Sequence, residues 1–252
     1  VFMGGHPWRQ MVQGDDLAGT SWRIARKMPS EIAGRGKLRI AVVGDVNTAD
    51  FLPLLETTFG ELQGREHPLP SVPPRPASGL HLVDQAGFGV ARISLVFPIP
   101  GREDPKHFVA EALSHALAGR ETSRLDLALR EESGLSYAVS SEITATTNWG
   151  LIRLDTEVLP ENVGQTLESM NALLSDIAEN GLTESEFEAV RSGLILDRAR
   201  RLERTDEAMI SLARLQRSRQ APDTDHAQAS AFQLLTAAEL AEEAKSLFAL
   251  DQ

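Results

Sequence analysis

The sequence predicts an α+β fold, an antiparallel sheet with helices packed on one face. Two apolar-rich segments, Ser136–Ala145 and Leu151–Val158, flank a turn at Thr147-Asn148-Trp149-Gly150 and predict antiparallel pairing. Ile152, Leu154, Thr156 and Val158 alternate with polar positions, as in a strand with one buried face. Capping boxes at Thr183–Glu186 and Thr236–Glu239 announce long helices in the C-terminal part.

The first element is Leu38–Val43, which reads as a buried strand turned by Gly44-Asp45. Asn47 or Thr48 caps a helix with Phe51, Leu52, Leu55 and Phe59 on its apolar face, and Gly60 stands at its C-cap. Pro68, Pro70, Pro73, Pro74 and Pro76 then crowd a stretch that suits neither helix nor central strand. Residues 64–79 are therefore expected to link a small first part to a larger second part.

Leu80–Val83 and Val90–Phe97 are strand candidates, and Pro98-Ile99-Pro100-Gly101 is expected to break the chain. Asp104-Pro105 starts a helix whose apolar face holds Phe108, Val109, Ala112, Leu113, Ala116 and Leu117. Ser123-Arg124-Leu125-Asp126 resembles a capping box opening a short helix that ends near Glu132, with Gly134 as the stop. Pro160 suits the first position of a helix, and further helices are expected over about 184–202 and 206–219.

Composition excludes several functions. With 25 basic and 36 acidic residues the net charge is −11, which argues against nucleic acid or an anionic membrane surface as main partner. Cysteine is absent, so no thiol nucleophile, disulfide or Cys-ligated metal exists. No run of about 18 apolar residues is present to span a membrane. There is no Gly-x-Ser-x-Gly elbow and no phosphate-cradling glycine loop. Neither His-Glu-x-x-His nor its inversion occurs. Glu111-Ala112-Leu113-Ser114-His115 has the length of the inverted motif, but Glu111 replaces its first His and Ser114 its Glu. A carboxylate and an imidazole at i, i+4 could hold zinc weakly; the favoured reading is an ordinary polar helix edge.

The strongest signal runs from Ala118 to Tyr137: loop, short helix, Gly stop, strand entry. It puts Arg130 in the last helical turn and Tyr137, the only tyrosine, at the start of the next strand, with Gly134 folding the two together. A guanidinium beside a phenol can donate to peptide carbonyls or to a developing oxyanion. Equally, an Arg in a last turn complements the helix dipole, and a strand Tyr is often core or interface.

The pieces Ser123-Arg124-Leu125, Leu129-Arg130-Glu131 and Gly134-Leu135-Ser136-Tyr137, with Val42-Val43-Gly44-Asp45-Val46, resemble the M16 zinc peptidases (pitrilysin, insulinase and mitochondrial processing peptidase relatives). The likeness is to the C-terminal, inactive half-domain. It implies a LuxS/MPP-like metallohydrolase lobe, with 1–63 the tail of a preceding lobe, 64–79 the linker and 80–252 the non-zinc lobe. By resemblance Arg130 and Tyr137 hold substrate backbone beside a zinc site on another lobe or subunit that carries His-x-x-Glu-His. Gly119, Arg120, Glu121 and Thr122 stand where processing-peptidase relatives have a glycine-rich substrate loop. The resemblance implies no catalytic residue and no metal in this chain, a peptide substrate, a homo- or heterodimeric partner lobe, and a soluble, exported or periplasmic location. The alternative it leaves is a purely structural lobe, as in respiratory-complex core subunits. Read this way, the chain is a fragment or a non-catalytic subunit.

Overall fold

The structure is a computed structural model; the residues it describes are 14–35, 37–62, 64, 79–84, 87–118, 120, 122–218 and 220–248. In chain order the elements are α1 (Gly14–Ala18), α2 (Trp22–Arg35), α3 (Thr48–Phe59), β1 (Ala91–Pro100) and α4 (His107–Leu117). Then come α5 (Arg124–Asp126), a π-helical turn (Leu127–Glu132), β2 (Ser136–Ala145) and β3 (Trp149–Val158). A 3-10 turn (Pro160–Asn162) leads to α6 (Val163–Asn180), α7 (Glu184–Glu203), α8 (Thr205–Arg217), α9 (Thr224–Leu234) and α10 (Ala237–Leu247). Two compact units divide the chain, Val1–His81 with Leu202–Arg219 and Leu82–Arg201 with Gln220–Gln252.

In the first unit Asn47 caps α3, its side chain accepting from the Ala49 amide at 3.0 Å, and Gly60 is the C-cap. No residue of α3 is buried, and Trp22, Ile24, Met28 and Ile32 of α2 are exposed. The expected strand at Leu38–Val43 does not form a ladder, because the described part of this unit offers it no second strand. Its Ile40 carbonyl instead accepts from Gln216 Nε2 of α8 at 3.3 Å. Most of the proline-rich stretch, 65–78, lies outside the described residues.

The second unit holds a three-stranded antiparallel sheet in the order β1-β3-β2. Its register separates two faces. Opposed residues Leu95/Leu154/Ser141 and Phe97/Ile152/Ile143 share the packed face. Ser94/Asp155/Ser140 and Val96/Arg153/Glu142 share the open one. Helices α4 and α10 pack on the first, with Leu113, Leu117, Leu154, Ile152, Leu174, Leu240 and Phe248 essentially fully buried. Each such side chain contributes roughly 1.5–3 kcal/mol on burial. Phe248 meets Phe97 edge-on, ring centroids 5.1 Å apart.

Two expectations fail between Leu80 and Pro100. Leu80–Val83 forms no strand: Leu80, Leu82 and Val83 are exposed, so no apolar face recruits them to a sheet. Pro98-Ile99-Pro100 does not break the chain but completes β1. An edge strand tolerates prolines, because residues of one parity turn their backbone nitrogens away from the neighbouring strand. Pro98 and Pro100 share that parity. The capping boxes at Thr183/Glu186 and Thr236/Glu239 both form. Among the described residues no helix is long and apolar enough to cross a membrane.

Candidate functional site

Arg130 sits on the π-helical turn, not on the α-helix expected there. Ser123 caps no backbone amide; its hydroxyl lies 2.8 Å from the Asp126 carboxylate and 2.7 Å from the Arg120 carbonyl. Leu125 and Leu129, four apart, are fully buried and press the short helix into the core. The turn then widens. The Ser133 amide donates to the Ala128 carbonyl at 3.2 Å, an i to i−5 bond, and the Ser133 hydroxyl reaches the same oxygen at 2.6 Å. Such widened turns gather at functional sites because each inserts a residue and re-aims its neighbours. Arg130, with a side chain 30 % exposed, pairs with Glu131 at 2.8 Å.

Beyond it the chain reverses at Gly134, with φ +62°. A side chain there would carry the left-handed penalty of about 1–2 kcal/mol. Leu135 is buried and Ser136 enters β2 opposite Val158. The next regular pair is Val139 with Thr156, so Tyr137 and Ala138 together oppose only Glu157. This is a β-bulge, which re-aims side chains and interrupts pairing. Ser136 and Val139 are buried on the packed face, so the two residues between them are turned outward. Hydrogen bonds from Ser136 Oγ (3.0 Å) and Thr156 Oγ1 (3.1 Å) to the Ala138 carbonyl pin the bulge. Tyr137 ends 91 % exposed, and among the described residues no hydrogen bond engages its phenol. An aromatic side chain ordinarily gains from burial, so a fold that spends a bulge on exposing one has not placed it for packing.

Near Tyr137 the open face is polar. Asp155, almost buried at the centre of β3, takes Ser94 Oγ, Arg153 Nε at 2.6 Å and Arg92 Nε at 3.6 Å. Arg153 also reaches Glu142. The sequence signal for this network was the charged alternation Arg153-Asp155-Glu157 in a strand read for its apolar face.

Of the candidate loop, Gly119 and Glu121 lie outside the described residues and Thr122 is exposed. Arg120 reaches across to α7, donating to Asp197 at 3.2 Å and to the Gly193 carbonyl at 3.3 Å. Gly193 permits this: a Cβ there would stand 3.0–3.1 Å from the guanidinium. A small surface cleft, a cavity of only about 40 Å³, is lined by His115, Arg120, Thr122, Ser123 and Glu186.

The α4 residues with ligand chemistry are committed elsewhere. Glu111 accepts from Arg198 at 2.6 Å, and His115 Nε2 lies 3.4 Å from Asp197. Burial holds the His115 pKa below its usual value, against the hydrogen bond to Asp197 that raises it. A guanidinium bound to Glu111 occupies the charge a metal would need, so the pair does not fit zinc. Among the described residues no group of three or more His, Asp or Glu could hold a metal ion.

A family profile described as the peptidase M16 inactive domain matches residues 35–194, more than half of the chain. The chain belongs to the M16 inactive-domain family. A Mycobacterium leprae protein named an uncharacterized zinc protease is 26 % identical to this M16 domain over 188 residues, covering 70 % of this chain and 40 % of the relative. The chain thus spans about two fifths of the length of the curated relatives it matches. Among solved structures, a protease from Helicobacter pylori superposes with a TM-score of 0.77 at 17 % identity, over 93 % of this chain and 57 % of that one. A peptidase M16 inactive domain from Pseudomonas fluorescens gives 0.73 at 17 % identity, over 98 % and 60 %. The fold is that of an M16 lobe, and the relatives' names place zinc in the family.

Proposed function

We propose that this M16 domain is the substrate-clamping lobe of a zinc peptidase, presenting Arg130 and Tyr137 to peptide backbone next to a zinc site carried by another lobe or subunit. The observation that carries this reading is the β-bulge that turns the single tyrosine to solvent, seven residues from Arg130 on its widened turn. A phenol donates one hydrogen bond and a guanidinium up to five, and both suit carbonyl oxygens of an extended peptide. Aimed at an oxygen that gains charge in the transition state, one such donor is worth about 3–4 kcal/mol. Zinc supplies the hydrolytic chemistry when bound elsewhere; this chain's part is to hold and polarise the substrate.

The same reading assigns 1–63 to the preceding lobe, 64–79 to a linker and 80–252 to this lobe. It is supported by the exposed apolar residues of α2 and α3 and by the Leu38–Val43 segment, which joins no strand ladder here and which a larger sheet would use. In this reading Gly119, Arg120, Glu121 and Thr122 remain the candidate substrate loop.

The test is peptide hydrolysis by the full-length enzyme or its complex carrying Tyr137→Phe. Loss of the phenolic hydroxyl alone is expected to lower kcat on the order of 10²–10³-fold with the fold intact. Unchanged turnover would remove the clamp and favour a scaffold role.

A further inference from the structure

Among the described residues of the Ala118–Tyr137 stretch, Arg124 is the most heavily bonded side chain. Arg124 is the first residue of α5, and its side chain is only 15 % exposed. Nε and Nη2 grip both oxygens of Glu186 at 2.6 and 2.9 Å. Nη1 donates to Asp176 at 2.6 Å, and Nη2 also reaches the Gly181 carbonyl at 3.2 Å. The receiving groups are themselves fixed. Glu186 closes the α7 capping box, accepting from the Thr183 amide at 2.7 Å. Asp176 on α6 is held by Asn180 at 2.7 Å.

We propose that Arg124 is a positioning residue for Arg130, locking the short helix that bears it onto the α6–α7 turn. The role rests on the clamp reading of Arg130 above. α5 and its π turn together span Arg124–Glu132, too short to hold a helical conformation without tertiary support. Leu125 and Leu129 supply burial, which is non-directional and fixes depth but not tilt. The bidentate Arg124–Glu186 pair is directional, because a planar fork meets a planar carboxylate in one geometry. Arg130 stands six residues away, about 9 Å along the axis. Leverage follows: a tilt of roughly 10° at the Arg124 end moves the Arg130 end by about 1.5 Å, enough to matter at a reacting centre. Arg124 itself faces α6 and α7, so it acts only through Arg130.

The experiment is a double-mutant cycle in the full-length enzyme or its complex, with peptide turnover and amide hydrogen exchange read on the same preparations. Arg124→Met is expected to lower kcat on the order of tenfold, with little change in KM, when Arg130 is present. It should add nothing once Arg130 is Ala. Exchange over Leu127–Ser133 should rise while β3 stays protected, and Arg124→Lys should recover part of both. Glu186→Gln, which keeps shape and removes charge, gives the same pattern more weakly and serves if Arg124→Met does not fold. Equal losses on both Arg130 backgrounds, with the Arg130→Ala loss intact, overturn this role alone. Full turnover by Arg130→Ala overturns the clamp reading and this role with it.

Discussion

Arg198 and Glu111 show what a charged residue costs and contributes inside this lobe. The Arg198 side chain is 6 % exposed, packs its guanidinium 5.8 Å from the Phe232 ring and meets Glu111 at 2.6 Å. Removing one partner of such a pair strands the other in a poorly solvated place, which costs more than the pair contributes. Glu111→Ala is therefore expected to destabilise the protein by about 3 kcal/mol, read as a lower urea midpoint. Replacing both, Glu111→Leu with Arg198→Met, should recover most of that loss. A double variant as unstable as the single one would show that the charges are needed for more than each other. The same pair shows the reach of the sequence: the favoured reading of Glu111 and His115 as a polar helix edge was legible from local spacing, while their α7 partners 87 and 82 positions away were not.

At the scale of elements, two one-residue irregularities flank a left-handed glycine, and together they set the candidate site. The sequence placed Arg130 at a helix end, Gly134 at the reversal and Tyr137 at a strand entry, because capping, glycine and alternation signals are local. It could not show the π turn, since the Leu127–Glu132 composition suits an α-helix equally well. Nor could it show the bulge: Ser136-Tyr137-Ala138-Val139 reads as plain alternation until the β3 register is known. Leu38–Val43 fails for the converse reason, since strand propensity is realised only against a partner strand. Gly134 tests this hinge. Gly134→Ala forces a Cβ into φ +62°, and should cost about 1–2 kcal/mol of stability. On the proposed clamp role of Arg130 and Tyr137, which this turn connects, peptide turnover by the full-length enzyme should fall further than that loss explains. Parallel, small changes in both would make the turn structural only.

For the whole molecule the buried His107, the mostly covered His115 and the Arg124–Glu186 lock predict a stepwise response to acid. Burial holds the pKa values of His107 and His115 below the ordinary 6.5; the His107 hydrogen bond to the Pro100 carbonyl opposes this without cancelling it. Below pH 6.5 the unfolded chain therefore takes up protons that the folded chain refuses. The stability these groups contribute is complete above 6.5 and declines as pH falls toward their folded values. Glu186 adds a second, lower window. Its carboxyl is pulled from 4.5 to about 2, first by the Arg124 hydrogen bond and also by Thr183. Its contribution is complete above 4.5 and is lost as pH falls to about 2. Urea midpoints across pH should show both windows. His107→Asn, which keeps a donor where Nδ1 stands, combined with His115→Gln should flatten the upper window and leave the lower. Arg124→Met should flatten the lower and leave the upper. A wild-type midpoint that holds steady from pH 7.5 to 5 would mean that these imidazoles reach water in the folded state, against their burial between β1, α4 and α7.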